Sequence, residues 1–256
     1  MSEAGRSLRE WRRRRHLSQL ELSHRVGVST RHLSFVETGR SRPSSALVLR
    51  LCAHLDVPLR EQNRVLVTAG HAPAHPERAL TDVSMSHVSE AIEGILRAHE
   101  PFPALVVDRG WDLVSANDAL YPLLDGVAEH LLEPPVNVIR LSLHPDGLAP
   151  RIVNLDQWRE HLVHRIRRER DLSSDPRLDA LLRDIGEDDG STWGEDSSPP
   201  PDLLVPLLFR SGEQVLSFVS TTTVFGTPQE VTLSELAIEV LHPADAPTRS
   251  LLLDAS

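Results

Sequence analysis

The chain has 256 residues, 40% of them hydrophobic, and a formal net charge of −10; that length exceeds the ~150 typical of one domain and favours two. A single cysteine, Cys52, excludes an internal disulfide and a thiolate zinc site. No apolar run approaches the ~18 residues of a membrane span, and charges stand where a signal peptide needs an apolar segment, so a soluble, cytoplasmic protein is expected.

The charge is unevenly divided. From Met1 to His75, 13 arginines face 6 acidic residues, a net of +7; from Pro76 to Ser256, 14 arginines face 31 acidic residues, a net of −17. A basic segment joined to an acidic one is the pattern of a nucleic-acid-binding module with a partner domain. The chain has no lysine, so every basic side chain is a guanidinium suited to two-pronged bonds with phosphate or guanine. Codon bias in a GC-rich genome would give the same absence.

In chain order, "SLRE" (7–10) and "SQLE" (18–21) fit the capping box, which predicts helices beginning near Ser7 and Ser18. Gly27 ends the second, and Ser29 caps a third from Thr30 to about Glu37. "TGRSRPS" breaks that helix. Ser44 caps a fourth, "SALVLRLCAHLDV", in which Cys52 reads as a buried thiol. "PLREQNRVLVTAG" reads as a fifth, with Pro58 near its first turn and Gly70 past its end. Ser23, Gly27 and the apolar set Leu22, Val26, Val28, Leu33 and Val36 supply what a helix-turn-helix needs: a small residue at the crossing, a glycine in the turn and a lock between the helices. The four arginines 12–15 point all round their helix, so one or two at most face a duplex and the rest pair within the protein.

Residues 71–82 contain Pro73 and Pro76 among small residues and read as a short stiff linker. His71 and His75 are four apart, but the prolines break the helix that would align them on a metal. Beyond Asp82, "VSEAIEGILRAHE" is an amphipathic helix. "PALVVDR" and "WDLVSA" form a hairpin. "NDALYPLL" is a short helix capped by Asn117, and two longer helices begin near Leu155 and Asp175. Residues 187–202 hold 6 acids in 16 positions and read as a mobile loop. "LLVPLLF", "EQVLSFVSTTTVF" and "EVTLSELAIEVL" then read as a three-stranded antiparallel meander.

The fold class expected is therefore multidomain, α followed by α+β: an all-α helix-turn-helix domain over 1–70, a linker over 71–82, and over 83–256 a PAS-like antiparallel sheet with helices on one face. Such a sheet leaves an apolar cavity beneath its helices. Residues expected to line it are Trp111, Leu113, Leu123, Ile139, Leu143, Trp158, Leu162, Phe209, Phe218 and Phe225, each of which could equally fill the core. Arg140 and Arg151 are candidates for a cation at its mouth, against salt bridges with this domain's acids.

Signs of enzyme chemistry are few. There is no GxGxxG, GxxxxGK or HExxH. "GSTWG" has Thr where a nucleophile elbow has Ser, and it lies in the acidic loop. His161 and His164 share a helix face near Glu160 and read as partly buried or surface histidines. No catalytic residue, metal or cofactor is expected.

Residues 7–70 resemble the five-helix DNA-binding domain of phage repressors and the Xre family of bacterial regulators, on the motifs "LSQLEL", "GVS" and "ETGRSRPS". The resemblance implies that the second helix meets the DNA backbone and the third enters the major groove. It further implies that Gln19 bonds phosphate, that Thr30, Arg31 and Phe35 occupy base-reading positions, and that Arg40 and Arg42 lie along the flanking backbone. Ser29, His32 and Ser34 fall to capping, phosphate or solvent. Phe35 departs from the polar residue common at its position and could instead pack against Trp11 or a second protomer.

"AHEPFPALVVDRGWDLVSAN", "LHPDGLAPRIVN" and "FGTPQEVTLSELAIEVLHPADAPT" resemble the MmyB-like ligand-binding domain that follows an Xre-type reader in many actinobacterial regulators. That resemblance implies a small apolar, fatty-acid-like ligand. The expected protein is a homodimeric regulator that binds double-stranded operator DNA, with no membrane partner. Two rivals stay open: a ligand-free dimerisation or protein-partner platform, and an unrecognised enzyme tethered to DNA.

Overall fold

A computed structural model describes residues 2–186 and 204–254, so the expectations placed on the acidic loop, including "GSTWG", lie outside the described residues. The chain divides into two units, Met1–Ala79 with Thr227–Ser234, and Leu80–Gly226 with Glu235–Ser256.

The first unit holds five helices: α1 (Glu3–Arg14), α2 (Gln19–Val26), α3 (Thr30–Thr38), α4 (Ser45–His54) and α5 (Leu59–Thr68). Three begin as the caps predict. The Ser18 hydroxyl accepts from the Glu21 amide at 3.1 Å while the Glu21 carboxylate accepts from the Ser18 amide at 2.7 Å, a complete capping box. Ser29 and Ser44 accept from the His32 and Leu47 amides. Helix α1 differs from expectation. It starts at Glu3, with Ser2 accepting from the Gly5 amide at 3.1 Å, and Ser7 lies inside it. The earlier start puts Ala4 and Leu8 on one buried face one turn apart. It also puts Gly5 where a Cβ would fall 2.5 Å from the Val36 carbonyl oxygen, so a glycine lets α1 close on the end of α3. Pro58 occupies the N-cap position of α5, next to its first turn.

The core of this unit is aliphatic, with Leu8, Leu22, Leu33, Val48, Leu51, Leu55 and Leu66 fully buried. Each such side chain contributes about 1.5–3 kcal/mol. Cys52 is buried among them, and burial pushes its thiol up to about 12, so it is inert as a nucleophile. After α5 the chain is tied back: the Asn63 side chain accepts from the Ala74 and His75 amides and donates to the His75 carbonyl.

In the second unit, α6 (Ser86–Ala98) leads to the hairpin of β1 (Ala104–Val107) and β2 (Leu113–Ala116). Helices α7 (Val138–Leu143), α8 (Leu155–Ser173) and α9 (Pro176–Asp184) follow, then β3 (Leu207–Ser211) and β4 (Gln214–Val224). A helical turn, α10 (Val231–Ser234), β5 (Ala237–Pro243) and α11 (Ala246–Asp254) complete the chain. The sheet is antiparallel throughout, in the order β2-β1-β5-β4-β3. Leu105, Val107, Leu207 and Phe209 on one face pack with Trp158, Leu162, Ile166, Leu178 and Leu181 of α8 and α9.

Three sequence expectations are corrected here. Residues 118–124 form a 3₁₀ helix rather than a capped helix, because the Asn117 side chain is spent elsewhere: it accepts from the Ala104 amide and donates to the Leu96 and Phe102 carbonyls. The strand predicted over "LLVPLLF" starts only at Leu207, since Pro206 has no N–H to give a ladder. The front of "EVTLSELAIEVL" is α10, not strand. Glu230 accepts from the Leu233 amide at 2.7 Å and from the Arg78 amide at 2.7 Å, and Val231 donates to the Pro76 carbonyl, which places this turn in the first unit.

Candidate nucleic-acid interface and cavity

Gly27, left-handed at φ 71°, turns α2 into α3. Ser23 is buried at the crossing, and its hydroxyl stands 2.9 Å from that of Thr30, so these side chains fasten the two helices to each other. Deeper, Glu37 receives both Nε and Nη2 of Arg12, at 2.7 and 2.9 Å, and the Gln19 amide at 2.8 Å. Arg12 also donates to the Leu17 carbonyl. One buried bidentate pair thereby joins α1, α2 and α3.

The predicted DNA-facing residues fall into two groups. Arg31 and Arg40 are exposed, and their guanidinium groups lie 5.3 and 5.8 Å from the ring of the half-buried Phe35. Ser29, His32 and Ser34 belong to the same helix, Ser29 as its cap. The second group is engaged inside the unit. Gln19 is bonded to Glu37, Thr30 to Ser23, and Arg42 to the carbonyls of Ala69 and Gly70 at the end of α5, at 2.8 and 2.6 Å. Of the arginine run, Arg12 is inside and Arg15 bonds the Leu55 and Asp56 carbonyls while lying, with Arg14, near the Trp11 ring.

The second unit contains a cavity of about 120 Å³ between sheet and helices. Its lining is largely aliphatic and aromatic: Leu105, Trp111, Leu113, Leu120, Leu123, Leu124, Val138, Ile139, Leu141, Leu148, Trp158, Leu162, Leu207, Phe209 and Leu241, with the polar Ser142, Arg165, Ser220 and Glu239. Seven of the predicted lining residues meet there: Trp111, Leu113, Leu123, Ile139, Trp158, Leu162 and Phe209. Leu143 and Phe218 are buried in the core without lining it, and Phe225 follows the end of β4, partly exposed. Neither predicted arginine is on the wall. Arg140 pairs with Asp184 at the surface; Arg151 lies 4.4 Å over the Phe209 ring and donates to the Leu123 and Asp125 carbonyls.

The cation on the wall is Arg165. It is held in a bidentate pair by Glu239, with one bond at 2.9 Å; its Nε stands 3.4 Å from Glu169, and its guanidinium lies 4.5 Å over the Trp111 ring. Trp111 in turn donates its indole N–H to Glu169 at 2.9 Å. Burial pushes the Glu169 carboxyl up from its ordinary value against the pull of Arg165. Trp111 holds a left-handed backbone, φ 66°, in the β1–β2 turn, a conformation that costs a bulky residue about 1–3 kcal/mol and concentrates at binding sites. Asp108 and Asn137 clamp that turn, accepting from the Gly110 and Asp112 amides and donating to the Gly110 carbonyl.

Among the described residues one group could hold a metal, His130, His144 and Asp146, whose donor atoms lie within 4.8 Å of one another. His144 Nδ1 already accepts from the Asp146 amide at 3.0 Å, which leaves Nε2. His161 instead stacks on Trp158, ring centroids 5.3 Å apart.

A five-helix unit with a tight glycine turn between α2 and α3, and a sheet-and-helix unit with an apolar cavity, define a ligand-binding helix-turn-helix transcriptional regulator. Residues 88–253 match the family described as MmyB-like transcription regulator ligand binding domain and residues 8–62 match the Helix-turn-helix family, so the chain belongs to the MmyB-like transcription regulators. It is 34% identical over 107 residues to an uncharacterized HTH-type transcriptional regulator, RghRB, of Bacillus subtilis, covering 41% of this chain and 68% of that one. A similarity to the crystal structure of the clp gene regulator ClgR from Corynebacterium glutamicum, at 24% identity over 38% of this chain and 90% of that one, has a TM-score of 0.23, too low to bear on the fold. The chain is thus a DNA-binding regulator with a ligand-binding domain, and not an enzyme. Among the described residues no helix is long and apolar enough to cross a membrane.

Proposed function

We propose that the chain works in the cytoplasm as a homodimer, that α3 reads an operator through the major groove, and that a small apolar, fatty-acid-like ligand in the cavity sets its affinity for DNA. The observation that carries the reading is the cavity itself, walled by aliphatic and aromatic side chains. The strand order β2-β1-β5-β4-β3 supports a PAS-like sensor. Arg31, exposed at the start of α3, offers two donors to O6 and N7 of guanine; Phe35 and the methyl of Thr30 offer apolar surface to thymine. Arg40, with Ser29, His32 and Ser34, is assigned to phosphate. Two such readers in a dimer require half-sites about one turn, ~34 Å, apart.

A cavity of about 120 Å³ is smaller than the ~300 Å³ at the low end of ligand sites, so an acyl chain must widen it on entry. That widening is the differential contact through which a ligand selects a state. To move occupancy from 99:1 to 1:99 it must prefer one state by roughly 5.5 kcal/mol. A chain-level route exists: β4 and β5, which carry Ser220 and Glu239 on the cavity wall, are joined through 227–234, the segment bonded to Pro76 and Arg78.

Native mass spectrometry of gently purified protein tests the reading. A retained small molecule, lost when Leu148 is replaced by Trp to fill the cavity, is the expected result. A chain that carries no ligand and takes none up from a lipid extract would favour a ligand-free dimerisation platform.

A further inference from the structure

The cavity has one polar end, and its composition sets what an acid ligand must bring with it. Glu239 lies opposite Leu105 of β1 and Thr222 of β4, so it shares the cavity face of the sheet with Leu105, while Ile238 and Val240 are buried on the reverse face. Among the residues that line the cavity, Arg165 is the only cation. A guanidinium has five N–H donors. Nη1 gives one to Glu239, Nη2 gives one to Glu239 and one to the Thr222 hydroxyl, and Nε faces Glu169 at 3.4 Å. The second N–H of Nη1 has no acceptor among the described residues, and the Trp111 ring, 4.5 Å from the guanidinium, fixes its place. One charged donor is thus left for a carboxylate on an otherwise apolar wall.

Charge decides the rest. Before a ligand enters, one cation stands with two carboxylates, Glu169 and Glu239. His161, one turn before Arg165 on α8, is held below its ordinary value by burial and by Arg165, so it adds no charge at neutral pH. A ligand carboxylate is a third anion in a confined space, where like charges raise one another's hold on a proton. The two resident acids are not equivalent. Glu239 accepts two guanidinium bonds and lies 3.5 Å from the Ser220 hydroxyl. Glu169 accepts one hydrogen bond, from the Trp111 indole at 2.9 Å. Burial, with Glu239 adding to it, already pushes the Glu169 carboxyl up against the pull of Arg165 and Trp111.

We propose that Arg165 anchors the ligand's carboxylate through the free Nη1 donor and that Glu169 takes up one proton from solvent as the ligand enters, so that the cavity binds a fatty acid and a proton together. The proposal rests on the ligand-sensing reading above and specifies how the acid is held. The balance is simple: an ionised acid and one solvent proton enter, and the proton resides on the Glu169 carboxyl. Its Oε2 continues to accept from Trp111, and the Arg165–Glu239 pair stays intact. Such a regulator holds its ligand more tightly as pH falls.

The test is isothermal titration of the full chain with octanoate between pH 6.5 and 8.0, in buffers of different ionisation enthalpy so that proton uptake is counted directly. About one proton per octanoate is expected at pH 8.0. Affinity is expected to be at least tenfold weaker there than at pH 6.5, since linked uptake of one proton changes it by about tenfold per pH unit. Glu169→Gln should bind octanoate with no proton uptake and no pH dependence, whereas His161→Gln should keep both. Arg165→Met should lose tenfold or more in octanoate affinity while still binding 1-octanol. Should a variant fail to fold, the wild-type proton count stands alone. Octanoate that fails to bind where octanol does, binds without proton uptake, or keeps that uptake in Glu169→Gln would overturn the proposal and leave an apolar-ligand sensor standing. Binding of neither probe would overturn both.

Discussion

Arg12 with Glu37 and Arg165 with Glu239 are the same pair of side chains, each bidentate and each largely out of solvent, in two different settings. The first sits in a filled core, where Gln19 and the Leu17 carbonyl complete its hydrogen bonds and nothing is left to offer. The second stands on the wall of a cavity. Burial of a charge pair therefore does not by itself mark a binding site. In the reader the pair fixes how three helices cross; in the ligand-binding domain a pair of the same geometry lines a cavity.

The largest predicted effect separates the two settings. Arg12→Ala leaves Glu37 buried and unpaired and is expected to cost about 3–5 kcal/mol, read as a lower urea midpoint for the reader. Replacing both partners, Arg12→Met with Glu37→Leu, should recover most of that loss. Glu239→Gln should cost less than half as much, because water can enter the cavity and solvate Arg165. Equal losses at the two pairs would remove the distinction.

Next come the exposed arginines. Arg31→Ala should lose about 1–3 kcal/mol of discrimination between operator and random DNA, measured by competition anisotropy. Arg40→Ala should weaken both equally and lower the salt slope by about 0.9 for its lost phosphate contact. Arg42→Ala is expected to behave differently from Arg40→Ala. Its guanidinium holds the end of α5, so the change should cost about 1 kcal/mol of stability and leave the slope alone. A slope change for Arg42→Ala equal to that for Arg40→Ala would show that the α5 contact gives way to DNA.

The smallest effect is on pH. Burial holds the His161, His75 and His242 imidazoles below their ordinary value of 6.5. The unfolded chain then takes up their protons first, so the stability they add is complete above that value and is lost as pH falls through it. The melting temperature should drop between pH 7.5 and 5.5, and His161→Gln should flatten part of that fall. A melting temperature that rises over this interval would contradict the assignment.

Much of this molecule was legible in its sequence because the signals were local. Caps and glycines at Ser18, Gly27, Ser29 and Ser44 specify helix ends within a few residues, and period-two apolar runs specify the strands of the meander. Ser7 misled because a capping box can be written inside a helix that an earlier serine, Ser2, has already started. The cavity's polar end was the least legible part. In "AIEVL" the apolar alternation assigns Ile238 and Val240 to a buried face and Glu239, by default, to solvent, whereas α8 covers that second face. Arg165 and Glu169 lie in the run "RIRRER", which reads as a solvated helix face; the one available signal was their i,i+4 spacing. Arg140 and Arg151 are the sequence's candidates for a cation at the cavity mouth, yet surface pairing and carbonyl bonds hold them off the wall. Pairing between residues 74 positions apart is set by tertiary packing, and no local pattern carries it.

The most direct test of the central claim is the affinity of the full-length protein for a fragment of its own upstream DNA, measured at fixed salt by fluorescence anisotropy, with and without a saturating medium-chain fatty acid. The account predicts a change of tenfold or more in the wild type and none in Leu148→Trp, whose cavity is filled. An operator affinity that stays the same while calorimetry shows the cavity occupied would contradict it.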